Sequence, residues 1–315
     1  MPTLPNLPAI ISGAGIVTPY GIVLPPGGRV AGYVRSTGVQ SLDDAQIRSR
    51  LFLTLDGALQ ECHSGLNDFV IVLPGHAENI TSTFLANLKA GTKIIGVGTG
   101  SAMPTFTFNA TGSTMAVAVN DVQISGCKFT PAAGIAVTKA FYVTGADFRF
   151  SYNEVVTSIS SSAKMTIVMD CDTGGDRFII EGNKIYGLLA GVSTTGIVVT
   201  AALANWEIKG NRMTFPSTAT TIGLIHVSGA ALNGYIGFNS LYNTVAASTV
   251  CIYFADVASD GLCEYNSMAE TVGSATAPNV SGIVLAGTTT LWRFDENYST
   301  PTKNTSGDIS PARDT

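Results

Sequence analysis

A short motif returns along the chain, and no other feature limits the fold as much. Trp206-Glu207-Ile208-Lys209-Gly210-Asn211-Arg212-Met213 is the clearest copy. Phe178-Ile179-Ile180-Glu181-Gly182-Asn183-Lys184-Ile185 precedes it. Gly234-Tyr235-Ile236-Gly237-Phe238-Asn239-Ser240-Leu241 and Gly261-Leu262-Cys263-Glu264-Tyr265-Asn266-Ser267-Met268 follow. Looser copies surround Asn153 and Asn297, and one copy has Cys127 in the asparagine place. The markers Cys127, Asn153, Asn183, Asn211, Asn239, Asn266 and Asn297 lie 26, 30, 28, 28, 27 and 31 residues apart. Self-similarity with a period of roughly 20–50 residues is the mark of a solenoid.

Apolar residues flank a Gly-Asn or aromatic-Asn step in each copy. Asparagine tolerates the left-handed backbone region, so the step is expected to be a sharp bend between two short strands. Stacked copies place Asn over Asn, where the amides hydrogen-bond along the stack. Ile180, Ile208, Ile236 and Cys263 then form one inward row, and Ile185, Met213, Leu241 and Met268 a second. A third strand lies upstream at 165–169, 196–200, 223–227, 250–254 and 282–286. Three short strands per turn predict an all-β fold, a single-stranded parallel β-helix.

Charged residues make up only 12% of the chain, about half the usual share. A stacked column needs few charges. The net charge of −5 and the lack of a basic stripe argue against a nucleic-acid partner. No apolar run reaches membrane-spanning length, so no membrane partner is expected. The N-terminus lacks the basic start of a secretory signal. The five cysteines, Cys62, Cys127, Cys171, Cys251 and Cys263, are odd in number and lack metal spacing. They read as reduced, buried thiols made in a cytoplasm.

The chain divides into an extended N-terminal arm (1–30), a region with loop, capping helix and first turn (31–90), the β-helix (91–300) and a mobile C-terminal tail (301–315). The arm is rich in proline, which excludes a helix. It is also apolar, unlike disordered tails, so it is expected to bind something. Leu55, Ala58, Leu59 and Cys62 share one helical face. A helix there would cover the open strand edges at the end of the column.

Leu51-Phe52-Leu53-Thr54-Leu55-Asp56-Gly57-Ala58-Leu59, then Asp68-Phe69-Val70-Ile71-Val72-Leu73-Pro74-Gly75-His76-Ala77-Glu78-Asn79-Ile80, resembles the opening of pectate-lyase- and pectinesterase-like β-helices. Thr92-Lys93-Ile94-Ile95-Gly96 is similar to their second turn. The resemblance covers roughly residues 50–300 and implies a right-handed column. It does not by itself imply an activity, because one fold hosts many.

Catalytic candidates are few. Glycosidases need two carboxyl groups about 5–10 Å apart. The only dense acidic group is Asp170, Asp172 and Asp176. Asp170 and Asp172 alternate with Met169 and Cys171 and are expected to face outward. Asp176 has Arg177 beside it to neutralise it. Asp170, Asp172, Gly175 and Glu181 approach calcium-loop spacing, but Gly174 replaces a ligand. The cluster is therefore read as a solvated turn. No serine or cysteine nucleophile motif accompanies His63, His76 or His226. His76 is expected to be a structural turn residue and His226 to point outward. The catalytic motifs of pectinesterases and polygalacturonases are absent, so no catalytic, cofactor or metal residue is assigned. Tyr152, Phe238 and Tyr265 precede ladder asparagines and are expected to stack on one another.

Phages build spikes and capsid decorations from β-helices with this type of first turn. The chain looks like the trimeric cement proteins of tailed-phage heads. That resemblance implies a non-enzymatic virion protein on the capsid exterior, made in the host cytoplasm and without cofactor. It also implies a homotrimer that clamps the major capsid protein, here through residues 1–30. The alternative is a tailspike or other polysaccharide-binding or depolymerising β-helix with a host glycan as partner, using the 170–176 cluster. A bacterial adhesin would need an export signal.

Overall fold

The structure, a computed structural model, describes residues 16–17, 23–24, 28–36, 50–187, 194–217, 223–244, 250–255, 259–270, 282–286 and 291–300. The chain is a parallel β-helix. Its strands stack in three rows. The first row is an 11-stranded sheet running from Leu51–Phe52 and Arg29–Val34 through Asp68–Val72 to Leu291–Asp295. The second runs from Ala77–Ile80 to Tyr298–Thr300, and the third from Thr83–Phe84 to Ile283–Leu285. From Asp68–Val72 onward, neighbours in each row are parallel and about one repeat apart in sequence, as a coil that climbs by one rung per turn requires.

Registers follow the repeat. Ile180 pairs with Ile208, Ile208 with Ile236, and Ile236 with Cys263. Ile185, Met213, Leu241 and Met268 form the second inward row. Both rows are buried. The third-row strands Lys164–Cys171, Thr195–Val199, Ile225–Val227, Ile252–Phe254 and Ile283–Leu285 fall where the sequence places them. In the N-terminal half the core is filled by phenylalanines, with Phe141 edge-on to Phe129 at 4.9 Å and to Phe150 at 4.8 Å. Such pairs add about 0.5–1.5 kcal/mol beyond the area they bury.

The asparagine stack exists, but its chemistry differs from the expectation. The left-handed residue is the one before the asparagine: Tyr152, Gly182, Gly210, Phe238 and Tyr265 have φ of 56°, 64°, 63°, 56° and 52°. The asparagines are instead the hydrogen-bonding members. Asn211 Nδ2 donates to the Ile180 carbonyl at 2.9 Å and to Asn239 Oδ1 at 3.1 Å. Its own Oδ1 accepts from the Asn183 N–H at 3.0 Å and from Asn183 Nδ2 at 2.9 Å. The pattern repeats from Asn153 to Asn297. It stops at Cys127, whose N–H donates to Asn153 Oδ1 but whose thiol cannot continue the ladder. A second left-handed column, not foreseen, opens the first-row strands: Asp121, Asp147, Arg177, Asn205 and Asn233.

The N-terminal end is built differently from the expected loop. Arg29–Val34 is a strand across the boundary drawn at residue 30, and it pairs with Asp68–Val72. Arg29 grips the buried Asp68 carboxylate with both arms, at 2.8 and 2.7 Å. Leu51–Phe52 is also a strand, because it pairs with Tyr33–Val34. The expected helix is Leu55–Gln60, with Thr54 as N-cap and Leu55, Ala58 and Leu59 buried. Of the arm, Ile16–Val17 pairs antiparallel with Val23–Leu24. These two short strands are the only part of residues 1–27 that the structure describes. The remainder of residues 1–27, residues 37–49 and the tail 301–315 lie outside the described residues.

The first-turn signature has a physical reason. The Glu78 carboxylate accepts the Leu55 N–H at 2.8 Å, at the positive end of the helix, and lies 3.0 Å from His76 Nε2. His76 is buried. Replacing Glu78→Ala removes both bonds and is expected to cost about 1–3 kcal/mol. The exposed Gln60→Ala change is expected to stay within about 0.5 kcal/mol. Urea midpoints of the two variants check this, and equal midpoints would contradict it.

Candidate functional site

The acidic turn follows the strand Lys164–Cys171. Alternation sends Met169 and Cys171 into the core and Asp170 to the opposite face, yet Asp170 is buried there. The reason is the register of the third row, which sets Tyr142, Asp170 and Val198 side by side on successive rungs. Lys139 Nζ pairs with Asp170 at 2.5 Å, and the Thr200 hydroxyl donates to the same carboxylate. The Asp170 bond pushes the Lys139 ammonium above its ordinary range. The expected solvated position is corrected for this residue.

Asp172 accepts the Thr173 N–H at 2.7 Å and the Tyr142 hydroxyl at 2.9 Å. These bonds hold its carboxyl below the usual range, and the same carboxylate pushes the Tyr142 phenol up. Asp172 thus offers an acceptor rather than a proton donor. Asp176 faces elsewhere, accepting the Ala204 N–H at 2.8 Å. Arg177 does not neutralise Asp176. Its guanidinium forks onto Asp147 of the preceding rung, at 2.7 Å twice. Glu181, the last member of the calcium-like spacing, is bound by Arg149 Nε at 2.9 Å. Among the described residues no group of three or more His, Cys, Asp or Glu is arranged to hold a metal ion.

Beside the acidic turn, Lys139 and Tyr142 border a shallow depression of about 220 Å³, floored by Thr111, Gly112, Ser113, Thr114 and Thr138. Neither Lys139 nor Tyr142 was singled out in the sequence. Aligning the third-row strands by register would have found Tyr142, since it pairs with Asp170 directly.

Linkage gives a pH prediction. A carboxyl whose folded pKa is depressed stabilises the fold above its unfolded pKa of about 3.9. That contribution is lost as pH falls through the lower folded value. Tyr142→Phe removes one of the hydrogen bonds that depress Asp172. Its titration is expected to move up toward the ordinary range, and acid unfolding to begin at higher pH. Carboxyl-carbon NMR titration reads the first effect, and an unmoved Asp172 signal would contradict it.

The histidines are scattered. His63 Nδ1 lies 2.8 Å from an Arg29 nitrogen. His226 sits on the outer face of its strand, edge-on to Tyr253 at 5.1 Å, and burial pushes its pKa down. All five cysteines are free and buried. Burial pushes the Cys127 and Cys263 thiols up to about 12. That disfavours the reactive thiolate. Phe238 and Tyr265 stack at 5.0 Å and 9°. Tyr152 does not join them, because Gly182 and Gly210 occupy the two rungs between. Its ring lies over Gly182 instead, 2.6 Å from where a Cβ would stand.

No family model matches the chain, and neither a curated protein nor a solved structure matches it.

Proposed function

We propose that the protein is a non-enzymatic structural component of a phage virion, a capsid cement protein that clamps shell subunits as a homotrimer. The observation that carries this reading is the tying-down of the acidic turn. Asp170, Asp172 and Asp176 each bind a different partner, which suits a rigid column better than a hydrolytic pair. The apolar residues of the arm, residues 1–30, supply the surface for the major capsid protein. Few charges leave a neutral flank that sister columns can cover at a site of local threefold symmetry.

Mass spectrometry of purified particles tests the reading through copy number. Hundreds of copies per particle support decoration, about a dozen indicate a spike, and none overturns it. The depression beside Lys139 and Tyr142 favours the second reading, a polysaccharide-active tailspike. Reducing-end release from host-envelope polysaccharide, abolished by Asp170→Asn with Asp172→Asn, would replace the first reading with the second.

A further inference from the structure

Four exposed aromatic rings crowd three successive rungs near the C-terminal end of the column. They are Phe238, Tyr242, Tyr265 and Tyr298. Phe238 is 59% exposed and Tyr298 61%. On earlier rungs Gly182 and Gly210 hold the place that Phe238 and Tyr265 take here. A side chain is strained in that left-handed region, so the turn itself does not call for the rings. Exposed aromatic surface of this kind marks contacts with other protein chains.

Two columns of residues run through the patch over four rungs. One holds the left-handed positions Gly210, Phe238, Tyr265 and Glu296. The other holds Arg212, Ser240, Ser267 and Tyr298, which the register aligns. Within these columns charge stands only at the two ends, with Arg212 on the first rung and Glu296 on the last, both exposed. Neither joins an ion pair among the described residues, whereas Lys184 and Lys209 nearby are paired. Glu296 lies beside Tyr265, and its charge pushes the phenol up. Three rungs, about 14 Å, keep Arg212 and Glu296 of one chain apart.

A second copy turned end for end brings the two charges together. A twofold axis that lies in the face and runs across the columns sets the first rung against the fourth, and the second against the third. Phe238 then meets Tyr265 of the second copy. Arg212 meets the other Tyr298 and reaches the other Glu296. Gly210 leaves room for that carboxylate, since the nearest atom to its Cβ position is 3.9 Å away. Tyr242 on the second rung lands on Ala269 of the third, large against small. Symmetry makes each contact twice, as an isologous interface requires. Columns set side by side in the same direction would instead hold like charges at equal height. The face measures about 20 Å by 15 Å, roughly 300 Å² per copy, at the low end for specific interfaces.

We propose that this face joins two antiparallel copies of the chain, with Phe238 and Tyr265 at the centre and an Arg212–Glu296 ion pair at either end. The inference does not rest on the virion reading. Its axis lies across the columns, so it is compatible with a threefold axis along them and in that case pairs two trimers.

Self-association of the full chain tests it. Sedimentation is expected to show the mass doubling between about 5 and 300 µM, as suits a face this small. Arg212→Glu and Glu296→Arg are each expected to weaken the doubling at least tenfold, and the two in one chain to restore it. Phe238→Gly with Tyr265→Gly, which suits the left-handed turns, is expected to abolish it. Spin labels on Lys184→Cys and on Lys128→Cys read the orientation, because the five native thiols are buried. Lys184 lies one rung before Arg212 and Lys128 two rungs earlier still. Antiparallel copies then hold the paired labels about 26 Å and about 44 Å apart. Equal distances at the two sites overturn the proposal, as does a mass that never doubles. Charge reversals whose effects do not cancel overturn it too. If the aromatic variant doubles normally but no longer binds particles, the shell is the occupant of the face and the proposal falls.

Discussion

Asn211→Leu lowers stability by about 3–5 kcal/mol, whereas Lys209→Ala on the outer face stays within about 0.5 kcal/mol. The first figure follows from four hydrogen bonds. The buried amide donates to Ile180 and Asn239 and accepts twice from Asn183. Leucine fills the space but leaves two N–H groups of Asn183 without partners and takes one bond each from the Ile180 carbonyl and from Asn239 Oδ1, which keeps only the main-chain N–H of residue 211. Each such group costs roughly 1–3 kcal/mol before the site relaxes. Lys209 pairs with Glu207 at the surface, where ion pairs contribute little. Urea melts of the two variants at matched concentration give the comparison. Equal losses would mean that the ladder is ornament and that the strands alone hold the rungs.

Gly261→Ala is expected to be as damaging, about 3–5 kcal/mol, for a steric reason. A Cβ at Gly261 would lie 2.2 Å from the Gly234 carbonyl oxygen of the adjacent rung and 2.8 Å from the Trp292 ring, with φ at +156°. Neither neighbour is a flexible chain end. Overpacking costs about 1–3 kcal/mol, and a side chain forced into a sparsely populated backbone region adds a similar amount. Gly112→Ala is the control: nothing lies within 4 Å of its Cβ position, and a change within about 0.5 kcal/mol is expected. Trp206 and Trp292 pack 5.7 Å apart over this glycine step. They are the chain's 2 tryptophans, so their fluorescence reports the damage directly. An unshifted spectrum with an unshifted midpoint would show that the rungs can part there at little cost.

The rows, their register and the position of the ladder were legible in the sequence because one strict contact repeats. An inward Ile or Met must sit over its counterpart, and a ladder amide must reach the next one, so spacing carries the signal. The left-handed columns were harder to read. Before the asparagine the position accepts Gly, Tyr, Phe or Glu, and in the second column Asp, Arg or Asn. The constraint there falls on the backbone, which many side chains can satisfy at some cost. The acidic turn was misread for another reason. Alternation tells which way Asp170 points, but not that Lys139 and Thr200 from neighbouring rungs cover it. Partners one coil away are visible only when the strands are aligned. Glu78 lies in the same class: its partner at Leu55 is 23 residues upstream, outside the repeat.

The ladder has a direction, and direction matters to a chain made from one end. In each pair, the earlier asparagine gives its main-chain N–H and one Nδ2 hydrogen to the Oδ1 of the later one. A nascent column therefore always ends in an asparagine whose acceptor has not yet been synthesised. A column that grows from its N-terminal end would complete the ladder bonds of each coil only with the arrival of the next.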